Sequence, residues 1–468
     1  MAGTWHPLPC RGTLEKVVDA FLANQTLSQS DAYNGFMKNF ASEGNFFTYI
    51  NPRRALLLGE KYVRSTYAPA YRNNYDSYKN IGHIGFQLAA NGENIFSMIA
   101  LAAEKETPGS SEQVWKFTLE DEVLGKPFII QLPNSTACDF LVFDKSYNAY
   151  LISNAGILKW KRKLEAKPVT SVHAVDLYRD GSQQYLFATT GKIYMLDQEG
   201  KDVANYPLRL SLAPVGEMLY IDQTPEGDAQ YFVSTEKARI YGYSLDGKPL
   251  PGWNPLMPDA TLETPLRYFT AKGKMYFYGS TQKGSLYVWD GNGKQFKAPV
   301  QTASRFNSPF YLQYGGTLER STFYSVDTGG NLYSIGMDGS INIKEIKEVP
   351  EPDFFAYEDT DGNSRKEFIL TSENGITAFE GDSLAWRIAT QESVVHPPEF
   401  FLLDGTYWIG YVAPVAGKIH LVSRSGTSYP GFPMVGNTPF LLRDVNSDGT
   451  PEVVTGGSSG ALYLYRLN

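Results

Sequence analysis

From residue 114 to the end, apolar residues come in bursts of about five positions, the length of a typical strand. The bursts are rich in β-branched and aromatic side chains, and each stops at Gly, Asp or Asn. Tyr185-Leu186-Phe187-Ala188-Thr189 is followed by a turn at Gly191 and then by Ile193-Tyr194-Met195-Leu196-Asp197. A glycine or its equivalent before a strand recurs at Gly156, Gly191, Ala238, Gly284, Gly330, Gly375, Gly417 and Gly460, at intervals of 35 to 47 residues. The strands they open read ILKWKR, KIYMLD, RIYGYS, SLYVWD, NLYSIG, ITAFEG, KIHLVS and ALYLYR. Short strands repeated at this period predict a mainly β fold, a β-propeller of eight four-stranded blades, with seven as the alternative. The last copy ends after three strands. Residues 114–119 form an apolar strand ahead of the first full copy. Pairing of 114–119 with Ala461–Arg466 would close the ring and remove two sheet edges.

The first 110 residues lack this period. Residues 11–24 carry Leu14, Val17, Val18, Phe21 and Leu22 at helical spacing. A second helix is expected from Ser28 or Ser30 through Phe36 and Phe40, a strand over 45–52, and a third helix over 53–67. Residues 82–103 predict a hairpin around Asn91-Gly92. Residues 1–110 therefore read as a small α+β region, the tail of a larger domain, and 114–468 as the propeller. A polar stretch rich in Ser, Glu, Pro and Gly at 105–113 separates them.

The sharpest chemical pattern is Asp444-Val445-Asn446-Ser447-Asp448-Gly449-Thr450-Pro451-Glu452. Oxygen donors alternate at Asp444, Asn446 and Asp448, Thr450 offers a carbonyl, and Glu452 follows at position 9. Calcium takes six to eight such oxygens. The loop lacks the twelfth-position Glu of an EF-hand, and a strand follows it rather than a helix. A structural Ca2+ is the expected cofactor. The competing reading is a turn whose carboxylates accept backbone N–H groups. Two further copies read as turns: 357–362, where Tyr357 falls in the place of Asp444, and 176–181, where Tyr178 and Arg179 interrupt the donors.

Catalytic signals are thin. His6, His83, His173, His396 and His420 are scattered, with no HxH or HExxH, and no nucleophile elbow, phosphate loop or dinucleotide fingerprint is present. Cys10 and Cys138 read as unrelated thiols. The tryptophans at 115, 160, 253, 289 and 386 suit packing between blades. The aromatic-Pro segments around Tyr206-Pro207, Trp253-Asn254-Pro255 and Phe432-Pro433 suit links between blades, with an exposed rim as a possible contact surface. A formal charge of −8 argues against general nucleic-acid binding. No apolar run approaches the roughly 18 residues of a membrane span.

The loop at 444–452 resembles the calcium loops of integrin-type FG-GAP propeller blades. The run from VWKFTL through GKPFIIQLPN, ACDFLVFDKSYNAYLISNAGILKWKRKL and GKIYMLDQEGKDVANYPLRL resembles the C-terminal propeller of large uncharacterised cell-envelope proteins of Bacteroidota-type bacteria. NFFTYINPRRALLL resembles the end of the domain that precedes it there. The strands also look like those of quinoprotein-type propellers and of the lipoprotein propeller of outer-membrane protein assembly, without the repeated Ala-x-Asp-x-x-Thr-Gly-x-x-x-Trp signature of the quinone enzymes. The resemblance covers most of the chain and carries no catalytic residue. It implies a periplasmic or cell-surface location. The expected function is a non-catalytic scaffold for a protein or glycan partner. The alternative is a carbohydrate-active enzyme with paired carboxylates at the propeller mouth.

Overall fold

The computed structural model describes residues 31–41, 44–50, 81–91, 94–103, 111–131, 138–222, 228–349, 351–390, 392–403 and 405–467. The chain divides into two compact units, Met1–Thr107 and Pro108–Asn468. The helices expected over 11–24 and 53–67, together with Cys10 and His6, lie outside the described residues.

In the first unit a short helix, Asp31–Met37, precedes a three-stranded antiparallel sheet of Phe46–Ile50, Ile81–Asn91 and Asn94–Ala103. The last two strands form the hairpin, in register Phe86↔Ile99 and Asn91↔Asn94. Gly85 has a steric reason: a Cβ there would lie 2.3 Å from the Phe40 ring. The bare backbone lets Phe40 rest on the sheet beside Phe47.

The second unit is built from eight antiparallel sheets, seven of four strands and one of three among the described residues. They open in chain order at Phe128–Gln131, His173–Val175, Leu219–Ile221, Arg267–Ala271, Tyr311–Gln313, Phe354–Glu358, Glu399–Leu403 and Leu441–Arg443. Each is a meander in which the first strand pairs with the second, the second with the third and the third with the fourth. The second and third strands are buried on both faces, as in Cys138–Phe143 and Gln184–Ala188. This is why they read as continuous apolar runs rather than as alternating ones. Fourth strands such as Leu158–Lys163 are mostly exposed and polar.

The fourth strand of the eighth sheet comes from the other end of the unit. Ser111–Thr118 pairs antiparallel with Ala461–Leu467, in register Ala461↔Thr118 and Leu464↔Trp115. Hydrophobic side chains between sheets form eight buried clusters, each joining neighbours in chain order. One of them joins the eighth sheet to the first, with Val454, Leu462 and Leu464 against Phe140, Tyr150 and Ile152.

The sequence period is one strand out of step in the first copy. ILKWKR falls on the fourth strand of its sheet, and the third is Asn148–Ser153. Both Gly156 and Gly191 sit in strand-joining turns, but in different turns of their sheets, so glycine spacing alone merged two positions.

A turn between third and fourth strands recurs. In Asp197–Lys201 the Asp197 N–H donates to the Lys201 carbonyl, and Gly200, at φ 78°, donates to the Asp197 carbonyl. The same pair of bonds closes 153–157, 244–248, 290–294, 336–340 and 423–427. An aromatic side chain on the fourth strand of one sheet (Trp115, Trp160), or in the segment after its third (Tyr206, Trp253), reaches the turn of the next. Trp115 Nε1 donates to the Asn154 carbonyl at 2.8 Å, Trp160 to Gln198 at 2.8 Å, Tyr206 Oη to Leu245 at 2.8 Å and Trp253 to Gly291 at 2.9 Å. A Cβ at Gly200 would stand 2.7 Å from the Trp160 ring, so the glycine serves both the left-handed backbone and the close approach. Tyr206, Trp253 and Phe432 are all buried. The aromatic-Pro segments therefore present no exposed aromatic rim at these residues; their rings are consumed in packing.

Candidate functional site

The loop 444–452 joins the first and second strands of the eighth sheet, and the five expected ligand residues lie together in it. The turn is threaded by its own side chains. Asp444 Oδ1 accepts the N–H of Asn446 at 3.3 Å and of Ser447 at 2.6 Å, and Oδ2 accepts that of Gly449 at 2.9 Å. Asn446 Oδ1 accepts from Asp448 N–H and Asp448 Oδ1 from Thr450 N–H, both at 2.9 Å. Glu452 is buried; its Oε2 accepts the Val445 N–H at 2.9 Å and its Oε1 the Asn446 amide at 3.0 Å. Arg466 sits 2.8 Å from Asp448 Oδ2 and donates to Thr450 Oγ1 at 3.2 Å. The Thr450 N–H and Arg466 hold Asp448 below the ordinary carboxylate range, whereas burial pushes Glu452 above it.

The sixth sheet repeats this skeleton between its own first two strands. Asp359 Oδ1 accepts from Asp361 and Gly362, and its Oδ2 from Ser364. Asp361 Oδ1 accepts from Asn363, Asn363 Oδ1 from Arg365, and buried Glu367 Oε2 from the Thr360 N–H at 2.8 Å. Asp359 is therefore the counterpart of Asp444, Asp361 of Asn446 and Glu367 of Glu452. Tyr357 lies on the preceding strand, two residues from the place that glycine alignment assigns to it. The second sheet carries a neutral version, 176–184: Asp176 Oδ2 accepts from Gly181 at 2.9 Å, and buried Gln184 Oε1 accepts the Leu177 N–H at 2.7 Å.

Among the described residues, the group whose carboxylate oxygens converge for a cation is Asp359, Asp361 and Glu367, all within 4.8 Å of one another. This set has three converging carboxylates, whereas in 444–452 Asn446 replaces one; an arginine pairs with one carboxylate in each loop, Arg424 with Asp361 at 3.3 Å and Arg466 with Asp448 at 2.8 Å. Burial raises the pKa of Glu367. Its spacing from Asp359, Asp361 to Glu367, matches Asp444, Asn446 to Glu452 and is readable in the sequence.

The same loop borders a cleft of about 660 Å³ between the fifth and sixth sheets. Leu312, Gln313, Tyr314 and Tyr324 come from the fifth sheet, and Tyr357, Phe368, Ser364 to Lys366, Glu380 and Gly381 from the sixth. Tyr357 and Phe368 stack at 5.0 Å with an interplanar angle of 17°, and the Tyr324 ring lies 5.1 Å from Phe368. Tyr314 is exposed. Arg365 pairs with Glu380 at 3.0 Å, Lys366 lies over the Tyr357 ring, and the Tyr357 hydroxyl donates to Gln313. An aromatic floor with polar groups at its edges is the composition of a site for a ring-shaped polar ligand.

A second cleft, of about 510 Å³, lies between the second and third sheets and gathers Asp176, Asp222, Asp228 and Asp246 with Arg179 and Tyr220. Each described carboxylate has a partner: Asp228 pairs with Arg179 at 2.6 Å, Asp246 with Lys248 at 2.6 Å, and Asp222 accepts from Tyr220 Oη at 2.9 Å. The described histidines do not converge: the His173 ring lies tilted 5.2 Å from Tyr220, His420 stacks on Tyr411, and His83 bonds to Tyr49 in the first unit.

No family pattern and no curated sequence matches the chain. Solved structures do. BamB from Moraxella catarrhalis superposes with a TM-score of 0.50 at 13% identity, over 76% of this chain and 99% of that one. Quinohemoprotein alcohol dehydrogenase from Comamonas testosteroni gives a TM-score of 0.52 at 11% identity, over 77% of each chain. At these identities the likeness shows the fold alone, and that fold is a β-propeller.

Proposed function

We propose that this chain is a non-catalytic β-propeller that serves as a binding scaffold in the bacterial cell envelope, periplasmic or at the cell surface. Its eight sheets are the blades of a ring closed by Ser111–Thr118. The cycle of inter-sheet clusters supports that reading, because it runs through all eight interfaces and returns to the first. The partner is a protein or a glycan. The cleft between the fifth and sixth sheets favours a glycan: exposed Tyr314 and half-buried Tyr324 and Phe368 offer aromatic surface, Tyr357 packs behind Phe368, and Gln313, Arg365 and Glu380 offer hydrogen bonds. Calcium, where bound, braces the loop 359–367 at the edge of this cleft, and more weakly 444–452.

The envelope location rests on the resemblance of the strands. The superposition on BamB supports the fold part of that resemblance. The reading as a carbohydrate-active enzyme would need one carboxyl held protonated beside an ionised partner. Glu367, raised by burial, stands beside Asp359, but it is buried and its Oε2 is taken by the Thr360 N–H and hydroxyl; in the cleft between the second and third sheets Asp246 is held low by Lys248 and Ser244, which disfavours it as an acid.

The test is a glycan array probed with the native chain beside Tyr314→Ala and Tyr324→Ala. Binding by the native chain that both variants lose supports the glycan reading. Absence of binding, or binding that ignores both substitutions, sinks it and leaves the protein partner.

A further inference from the structure

Four consecutive interfaces between neighbouring sheets, from the eighth and first to the third and fourth, follow one rule, and the interface that comes next departs from it. In each, an aromatic residue on the fourth strand (Trp115, Trp160) or in the segment after the third (Tyr206, Trp253) meets two fixed partners on the next sheet. The first is an aromatic on the second strand: Phe140 for Trp115, Tyr185 for Trp160, Tyr231 for Tyr206 and Phe277 for Trp253. The second is the carbonyl of the second turn residue, at Asn154, Gln198, Leu245 and Gly291.

Between the fourth and fifth sheets both partners are in place. Phe323 holds the position of Tyr185, since Phe323↔Ile335 and Tyr185↔Leu196 both pair with the residue before the turn. Met337 supplies the turn carbonyl. The aromatic side chain is missing. Lys297 stands four residues past the turn glycine Gly293, as Trp160 stands four past Gly156, and its Nζ donates to the Met337 carbonyl at 3.0 Å. Where the ring would lie there is a cavity of about 290 Å³. Leu286, Val288, Phe296, Val300, Phe323 and Ile335 supply its apolar wall.

The charged residues lining it are Lys297 and Asp338. Asp338 Oδ1 is occupied by the Ser340 N–H and hydroxyl, at 3.0 and 2.6 Å. An ammonium has three donors, and Met337 takes one of those of Lys297. Phe323 packs on Tyr278 at 4.9 Å on one side, and the open space lies on its other side, towards the turn 336–340, where the exposed Lys297 keeps two donors to offer. We propose that this cavity binds a small planar aromatic acid, its ring in the slot that Trp160 fills in the sister interface and its carboxylate on Lys297. The site is separate from the cleft between the fifth and sixth sheets and does not rest on the reading given for it.

Calorimetric titration with indole-3-acetate, and with neutral indole for comparison, tests this. The native chain is expected to bind indole-3-acetate more tightly than indole. Lys297→Met should weaken indole-3-acetate about tenfold, the loss of one charge-assisted hydrogen bond, while leaving indole unchanged. Lys297→Trp should abolish both and raise the melting temperature, because the repeat's own side chain fills the slot. The proposal is overturned if the native chain binds neither probe or if Lys297→Trp binds indole-3-acetate as well as the native chain. It is equally overturned if Lys297→Trp melts lower, or if affinity follows Tyr324→Ala in the other cleft instead of residue 297.

Discussion

The loops 359–367 and 444–452 share a hydrogen-bond skeleton almost bond for bond, and differ in how their charge is balanced. In 444–452 the cation is internal: Arg466, on the third strand of the same sheet, bonds to Asp448. In 359–367 the third donor, Asn363, is neutral, Asp361 stands where the other loop has Asn446, and Arg424 of the seventh sheet approaches Asp361 at 3.3 Å. The backbone geometry is thus set by acceptor positions that Asp, Asn and Gln fill equally well. The capacity for a metal is set by which of those positions are carboxylates and whether an arginine has claimed one.

The largest effects should come from the shared skeleton. Glu367→Ala or Glu452→Ala leaves a buried N–H without its acceptor, at Thr360 or Val445. Each should cost about 3 kcal/mol in denaturant unfolding, the upper range for an unsatisfied buried donor. Glu452→Gln should cost less, about 1 kcal/mol, because its NH2 loses the bond that Glu452 accepts from the Asn446 amide while its amide oxygen can still accept the Val445 N–H. Gln184 already does this in the second sheet. Equal losses for Gln and Ala at 452 would show that charge, not the acceptor, holds the turn.

Calcium should separate the two loops. Binding to the native state alone raises stability by about 2.7 kcal/mol at a hundredfold excess over Kd. In melts with EGTA and then excess calcium, Asp361→Asn should remove most of the response and Asp444→Ala little of it. Arg466→Met should increase the response by freeing Asp448. A native response removed by Asp444→Ala and untouched by Asp361→Asn would reverse the assignment.

Acid should act on the same pair. Burial holds Glu367 and Glu452 above the usual value of 4.5. Their folded state favours the protonated form, so their contribution to stability is full below 4.5 and is lost as pH rises through the raised folded value. The native chain should therefore gain on Glu452→Gln as metal-free samples are acidified from neutrality towards 4.5. Calcium affinity should fall over the same interval, since the ion needs the carboxylates ionised. A stability difference that stays flat across that range would mean Glu452 titrates normally.

Much of this architecture was legible because burial on both faces forces the second and third strands into unbroken apolar runs, such as Gln184–Ala188 and Lys192–Leu196. The outer strands were harder to place. Leu158–Lys163 alternates, yet its Trp160 makes it read like an inner strand, and the first copy was set one strand out of step. The cleft between the fifth and sixth sheets was not legible at all. Tyr324, Tyr357 and Phe368 are ordinary strand aromatics in sequence, and only the packing of two sheets brings them to one wall. The 359–367 site was legible in principle, through its carboxylate spacing, and was hidden by its glycine.

That glycine leads to the finest distinction between the loops. Each skeleton needs two left-handed residues, and each loop gives glycine to only one of them, on opposite sides. In 444–452 they are Ser447 at φ 62° and Gly449 at φ 88°; in 359–367 they are Gly362 at φ 78° and Ser364 at φ 68°. Aligning the loops on glycine therefore shifts them by two residues and puts Tyr357 where Asp359 belongs. The second sheet sides with the eighth, with Arg179 at φ 56° and Gly181 at φ 83°. A side chain in this region costs about 1 kcal/mol relative to glycine, offset in part by the greater freedom of glycine when unfolded. Ser447→Gly and Ser364→Gly should each stabilise by about 0.5 kcal/mol in denaturant unfolding, as should Arg179→Gly. Equal small gains at all three would mean the loops have one backbone geometry with interchangeable glycines. A gain at Ser447 with a loss at Ser364 would mean that the Ser364 side chain serves the neighbouring cleft, and that the two loops have diverged in function as well as in charge.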